Sequence, residues 1–238
     1  VMLFLLGRQL GGPASGLRAA ALYSLNPAPI FLAASWGQWD AVAVFIVLVA
    51  LWFQIRGASE WSLPILVYAA LIKPPLAVLL PLFFIAALLQ WRLAARHPPS
   101  PHMPFHSHSS WYQTVLRLGA GLIGSVLVLI TVCTPFSVGF PFLSGRWSLL
   151  ERVQYAAAVH PYTTVNAFNV WAVINAHALL PGPFISDDGT FLIGASFRTW
   201  GIGMTALLGV VIALLMIWRW RGEATLICAT SALLLALF

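Results

Sequence analysis

One acidic residue stands at the entrance of an uninterrupted apolar segment. Asp40 closes the stretch SWGQWD, and the residues AVAVFIVLVALWF behind it carry no charge. A carboxylate in this place can act as a general base, hold a metal-bound phosphate or bind sugar hydroxyls. It can equally be the N-cap of the following helix, where its oxygen accepts hydrogen bonds from free backbone amides. Trp36 and Gln38 precede it as candidate substrate-binding residues, and the indole suits either a sugar ring or a membrane interface.

The only lysine of the chain is the second candidate. Lys73 lies in LIKPPLAVLLPL, between long apolar runs on both sides. An ammonium group within a membrane is costly and defaults to a functional role. A lipid-linked phosphate at the membrane interface is its natural partner. The alternative is a side chain that merely extends to the lipid headgroups.

A third group of candidates lies in the one long segment that is not expected to span the membrane, residues 139–197. Its cations and imidazole suit a phosphate or a sugar, and two amides in NAFNVW are three residues apart, on one helix face. The alternative is a helix lying on the membrane with its amides in water. We expect interfacial helices around Glu151–Ala158 and Val165–Ala176. The candidate residues are Arg146, Arg152, His160, Asn166 and Asn169.

The composition indicates a lipid environment. Of the 238 residues, 61% are hydrophobic and 8% are charged, and the mean hydropathy is +0.91. Soluble domains carry about 25% charged residues. We therefore interpret the net charge of +6 as a signal of membrane topology, and it does not predict nucleic-acid binding. The two cysteines lie in separate apolar runs and predict neither a disulfide nor a metal site.

The elements that would position these residues are membrane-spanning helices. A crossing needs about 20 apolar residues. Segments of this kind occupy residues 18–36, 40–56, 114–138 and 199–218, with partial ones at both ends. Residues 62–92 are too long for one crossing, and Lys73-Pro74-Pro75 predicts two short arms that meet near the lysine. We expect one all-α transmembrane domain over residues 1–238, with about 6–8 spans and residues 139–197 as its long outer loop.

The arginines predict the orientation. When the polar ends are numbered alternately, eight arginines fall on one side and three on the other. The positive-inside rule places the eight in the cytoplasm, so that Asp40, Lys73 and the long loop share the outer face. The inner group is Arg8, Arg18, Arg56, Arg92, Arg96, Arg117, Arg219 and Arg221, and the outer group is Arg146, Arg152 and Arg198.

Metal-binding patterns are weak in this chain. His102, His106 and His108 lie in a Pro-rich loop without cysteines or acids nearby, and Asp187-Asp188-Gly189 fits a turn better than a calcium loop. No metal site is predicted.

The ordered motifs together resemble a known family. LNPAPIFLAASWGQWDAV, LIKPPLAVLLPLF and the later FPFLSGRWSLLERVQYAA…NAFNVWAV are similar to polytopic GT-C-type glycosyltransferases. The patterns resemble those of bacterial relatives of the GPI mannosyltransferases and of the dolichyl-phosphate-glucose-dependent glucosyltransferases. The likeness spans roughly residues 22 to 200.

This resemblance implies a GT-C helix bundle in the bacterial plasma membrane. It implies transfer of a sugar from a polyprenyl-phosphate donor to an acceptor at the outer face. The further partners would be membrane lipids and other membrane subunits. The resemblance also implies that no nucleotide sugar is needed, and a divalent cation is compatible with the reaction. In this family the catalytic acid normally lies in the first outer loop, which would precede Val1, so we expect the chain to be part of a longer one. Asp40 would in that case position or bind the substrate, and the base would lie upstream. A catalytically inactive structural subunit and a lipid or solute transporter are the alternatives.

Overall fold

The described part of the chain is mostly helical. The computed structural model describes residues 1–27, 40–96, 111–136, 188–220 and 222–237, with the single positions Ile30, Ser148, Glu151, Tyr155 and Ser186. It contains seven α-helices in this part: α1 Met2–Ser24, α2 Asp40–Ile55, α3 Ser59–Ile72, α4 Leu79–Arg96, α5 Trp111–Cys133, α6 Phe197–Trp218 and α7 Glu223–Leu237. Two 3₁₀ helices, Pro74–Val78 and Thr134–Phe136, and two short strands, Thr190–Leu192 and Ala195–Ser196, complete it. Two compact units are formed by residues 1–132 with 211–238, and by residues 133–210.

A glycine break folds α1 into two arms. Gly11 and Gly12 leave the helical conformation, and Gly12 has φ 81° and ψ −178°, a region that only glycine adopts readily. The arms then pack closely, because a Cβ on Gly16 would lie 2.6 Å from the carbonyl oxygen of Phe4. A Cβ on Gly7 would lie 2.9 Å from the Cα of Gly16. The predicted Gly-rich turn is confirmed, although it is shorter than the ten residues GRQLGGPASG.

Helices α2 and α3 form an antiparallel pair. Three residues connect them, and a connection this short makes consecutive helices neighbours. The buried face of α2 contains Ala43, Val47, Ala50, Leu51 and Gln54, which is the i, i+4, i+7 spacing of one helical stripe. On α3 the buried stripe is Ser59, Ser62, Leu63, Leu66, Val67 and Ala69. Both stripes contribute to the main core, together with residues of α4, α6 and α7.

The chain breaks and turns back at Lys73. Helix α3 ends at Ile72, Lys73 is extended, and the 3₁₀ helix Pro74–Val78 leads into α4. The residue before a proline is driven out of the helical region, which explains the position of the break. Gln90 of α4 returns to the level of the α2 terminus, since its side-chain amide donates to the backbone oxygen of Gln54 at 2.8 Å. The predicted two arms that meet near Lys73 are confirmed.

Helix α5 approaches α3 through glycines. A Cβ on Gly121 would lie 2.8 Å from the carbonyl oxygen of Ser59, and one on Gly124 would lie 2.8 Å from the Cγ of Pro64. Small residues let helix backbones come this close, as is common between membrane helices. Ser125 donates to the Gly121 carbonyl at 2.8 Å, so its buried hydroxyl is satisfied within α5.

This packing predicts opposite effects for two neighbouring glycines. Gly121→Ala should destabilise the protein by about 1–3 kcal/mol, because the added carbon meets backbone atoms that cannot move aside. Gly119→Ala is the matched control, since a Cβ on Gly119 would have no neighbouring atom within 4 Å among the described residues. Alanine should there stabilise the helix by about 0.5–1 kcal/mol. Thermal unfolding in detergent measures both, and equal shifts for the two variants would contradict the close approach.

Two of the described helices are long and apolar enough to cross a membrane. They are Tyr112–Cys133 and Phe197–Trp218, with mean hydropathies of 2.2 and 2.3. A core helix of a soluble protein would be mostly buried, whereas the apolar windows of these two are 17% and 11% buried. The other apolar helices of the described part are 10–17 residues long. Residues 40–56 were expected to form a clean crossing. The helix found there has 16 residues and rises about 24 Å, so it belongs to this shorter class.

The second unit contains a small β-hairpin and a capped helix start. Strands Thr190–Leu192 and Ala195–Ser196 pair antiparallel just before α6. Ser148 and Glu151 form a capping box, in which the Ser148 hydroxyl accepts from the Glu151 amide at 3.1 Å and the Glu151 carboxylate accepts from the Ser148 amide at 3.2 Å. Glu151 and Tyr155 are helical, in agreement with the helix expected around Glu151–Ala158. The helix expected at Val165–Ala176 lies outside the described residues.

Candidate functional site

Lys73 occupies the junction between α3 and the following 3₁₀ helix. Its backbone is extended, with φ −136° and ψ 95°, and it closes one helix and opens the next. The Lys73 amide donates to the carbonyl of Ala69 at 2.9 Å, and the Lys73 carbonyl accepts from the amide of Leu76 at 3.0 Å. The residue is half-buried. A fixed backbone therefore places the one lysine of the chain at the end of a helical arm.

Asp40 begins α2, and its backbone lies at the same end of the α2–α3 pair as Lys73. Helix α2 ends and α3 begins at the connection formed by residues 56–58, so the start of α2 and the end of α3 both lie far from it. The 16 residues of α2 rise about 24 Å and the 14 residues of α3 about 21 Å. Asp40 and Lys73 are thus within roughly one helical turn of the same level. This agrees with the level that the sequence predicts for the pair, while their shared cavity stays a prediction.

The remaining predicted site residues lie outside the described part of the chain. They are Trp36, Gln38, Arg146, Arg152, His160, Asn166 and Asn169. Their convergence on Lys73 stays a prediction. Among the described residues, no group of three or more His, Cys, Asp or Glu side chains is placed to hold a metal ion.

A polar cluster lies at the opposite end of the α2–α3 pair. Arg117 of α5 donates to the carbonyl of Gly57 at 2.6 Å and lies 3.9 Å from the carboxylate of Glu60. Gln54 is fully buried, and its amide donates to the side-chain oxygen of Gln90 at 3.3 Å. The cluster joins α2, α3, α4 and α5 at one level. It holds helices in register and lies about 20 Å along α3 from Lys73.

This cluster also bears on the predicted orientation. Arg56 stacks over the ring of Trp52 at 3.8 Å, and Arg117 reaches the adjacent turn at Gly57. Two arginines that the sequence assigns to the same side of the membrane therefore lie at the same end of the helices. Lys73 lies at the other end, as the predicted topology requires.

An apolar groove runs along one face of the second arm of α1. Its volume is about 650 Å³. The described residues that line it are Arg18, Ala21, Leu22, Leu25 and Asn26. Arg18, Ala21 and Leu22 share one stripe of α1, and Leu25 and Asn26 follow the last residue of that helix. Lys73 is not among the described residues that line this groove.

Sequence reasoning missed two kinds of feature. The capping box of Ser148 and Glu151 has a local signal, since S-x-x-E before a helix is recognisable. The pairing of Gln54 with Gln90 has only a partial sequence signal. Two amides in apolar runs indicate that each needs a hydrogen-bond partner, but the sequence does not identify the partner.

Comparison of the chain with models of protein families, with curated proteins and with solved structures finds no match. The relation to GT-C glycosyltransferases is therefore a resemblance that rests on the motifs quoted above. The function that this resemblance implies is a proposal.

Proposed function

We propose that this chain is part of a multi-pass membrane glycosyltransferase of GT-C type. It transfers a sugar from a polyprenyl-phosphate donor to an acceptor at the outer face of the bacterial plasma membrane. The observation that carries the proposal is the placement of one acid and the sole lysine: Asp40 opens α2 and Lys73 ends α3 at the same end of a helical pair. Such a pairing suits a reaction in which a base removes a proton and a cation balances a leaving phosphate.

The proposed architecture has about 6–8 spans in this chain. The two apolar helices of 22 residues support insertion in a membrane, and the broken arms around Lys73 support a cavity there. Irregular backbone at membrane depth is tolerated only where it lines a cavity or is buried in protein. A cavity at this level would receive the donor phosphate at Lys73, with Arg146 or Arg152 from the long loop as further cations. Trp36, Gln38, His160, Asn166 and Asn169 would contact the sugar.

Mass spectrometry of co-purified lipid tests the proposal. The full-length protein that contains this chain, purified in mild detergent, should carry a polyprenyl-phosphate sugar and transfer that sugar to an acceptor. A structural subunit would carry no such lipid and catalyse no transfer. A transporter would bind the lipid and return it unchanged, so a bound donor without transfer would contradict the enzyme.

The orientation is tested by labelling from outside intact cells. Single cysteines at Ser107 and Ser186 are introduced after Cys133 and Cys228 are replaced by alanine. A membrane-impermeant maleimide should label Ser186→Cys in intact cells, and Ser107→Cys only after permeabilisation. Labelling of Ser107→Cys in intact cells would overturn the topology, because the eight-to-three split of arginines places residues 97–110 inside.

A further inference from the structure

The hairpin before α6 has an unusual turn. Its strands pair Thr190 with Ser196 and Leu192 with Ala195, so two residues form the loop. Both loop residues have positive φ, 55° at Ile193 and 73° at Gly194, which corresponds to a type I′ turn. This turn favours Asn-Gly or Asp-Gly, and a β-branched residue at positive φ is a genuine outlier. An isoleucine therefore occupies a position whose backbone disfavours it.

The tip of this hairpin is apolar and exposed. The side chains of Ile193 and Leu192 are 88% and 51% exposed, and Phe191 is 37% exposed. Helix α6, which follows the hairpin directly, also carries an exposed apolar side chain near its start, with Ile202 66% exposed. A single exposed aliphatic residue needs no explanation, but consecutive ones on a protruding turn indicate contact with another apolar phase.

The tip is tied to the first turn of α6. The indole N–H of Trp200 donates to the carbonyl of Leu192 at 3.0 Å, and the rings of Phe191 and Phe197 lie 4.8 Å apart. Ser196 caps α6, since its hydroxyl accepts from the amide of Thr199 at 3.2 Å. The hairpin therefore has a fixed position beside the point where this apolar helix begins.

We propose that the Thr190–Ser196 hairpin is a membrane-interface anchor whose Leu192–Ile193 tip enters the lipid layer beside the start of α6. This inference rests on the membrane location of α6 in the proposed function. The hairpin runs directly into α6, and a helix that crosses the membrane has its first turn at the membrane interface. The apolar tip of the hairpin should therefore contact the bilayer. Trp200 suits this level, since tryptophan is enriched there and its N–H is already satisfied.

The depth of insertion is limited by the backbone. The strands of a two-stranded hairpin bond only to each other within the sheet, so any backbone amide or carbonyl on an outer edge needs another partner before it can enter the hydrocarbon core. The tip should therefore be shallow, with Asp188 and Arg198, 3.5 Å apart at the base of the hairpin, remaining in the aqueous headgroup layer.

Spin labels measure this depth in the full-length protein, reconstituted in phosphatidylcholine vesicles. Cysteines are placed singly at Ile193, Thr190 and Leu207, with Cys133 and Cys228 replaced by alanine. The ratio of collisions with oxygen to collisions with a water-soluble nickel chelate should be about threefold higher at Ile193 than at Thr190, since apolar oxygen favours the hydrocarbon layer. Leu207, in the middle of α6, should give the highest ratio.

The three labels separate the possible failures. An aqueous label at Leu207 would overturn both the membrane location of α6 and the anchor that rests on it. A lipid-exposed Leu207 with an aqueous Ile193 would overturn the anchor alone. A label at Ile193 that neither reagent reaches would place the tip against protein and would also overturn the anchor.

A turn variant removes misfolding as an explanation. Ile193→Asn suits the type I′ turn better than isoleucine does, and it deletes the apolar tip. A spin label at Leu192 should become more accessible to the nickel chelate in Ile193→Asn and should keep its depth in Ile193→Val. An unchanged depth in both variants would overturn the anchoring role of Ile193.

Discussion

Asp40→Asn is expected to lower sugar transfer by about 100-fold or more, whether the carboxylate removes a proton as general base or orients the sugar for the reaction. The unfolding temperature should stay close to that of the natural protein. Asparagine and aspartate are equivalent helix N-caps, so the substitution removes the acid and preserves the cap. The test is transfer activity of the full-length protein with its donor lipid, measured together with thermal unfolding.

Asp40→Ala is the matched control for the capping role. Alanine cannot cap, and its loss of stability should be about 1 kcal/mol. If Asp40 acts only as a cap, Asp40→Asn is fully active and Asp40→Ala is less stable with normal turnover per folded molecule. If Asp40 acts in the site, both variants are inactive and only Asp40→Ala is less stable. Full activity of Asp40→Asn would leave the acid as a cap of α2 and would contradict its proposed chemistry.

The backbone breaks of this protein were predictable from the sequence. Glycine permits the ε conformation that Gly12 adopts, and Pro74 excludes the helical region for Lys73 before it. The predicted turn at Asp188 and Gly189 is confirmed, since the Gly189 amide donates to the Ser186 carbonyl at 3.2 Å. Such constraints act within a few residues and therefore survive without tertiary information.

Features that depend on contacts between distant residues were not predictable. Gln54 and Gln90 are 36 residues apart, and Arg117 bonds to Gly57 across 60 residues. The hairpin at residues 190–196 was not predicted for a different reason. Its turn sequence, Ile-Gly, lacks the Asn-Gly or Asp-Gly pair that usually indicates a type I′ turn. For the candidate site, the distribution of arginines predicted that Lys73 and Asp40 lie at the same membrane level. The lengths of α2 and α3 agree with that prediction.

Lys73→Gln is expected to be the second large loss of activity. A positioned cation that balances charge on a leaving phosphate resembles an oxyanion-hole donor, and removing one such donor costs about 10²–10³ in turnover. Glutamine retains length and polarity but has no charge. We therefore expect turnover to fall by about 100-fold with the protein still folded. Lys73→Arg, which keeps the positive charge, should retain much more activity than Lys73→Gln.

Two measurements distinguish this role from that of a lysine that only reaches the headgroups. A lysine of the latter kind contributes to membrane insertion, and its replacement by glutamine leaves turnover unchanged. Arg8→Gln is the control for loss of a cation as such, because Arg8 is exposed near the glycine break of α1 and belongs to the predicted inner group. Turnover should be normal in Arg8→Gln and nearly lost in Lys73→Gln. Equal turnover in these two variants would show that the site uses no charge at the α3–α4 break, and the phosphate would then need its cation from Arg146 or Arg152.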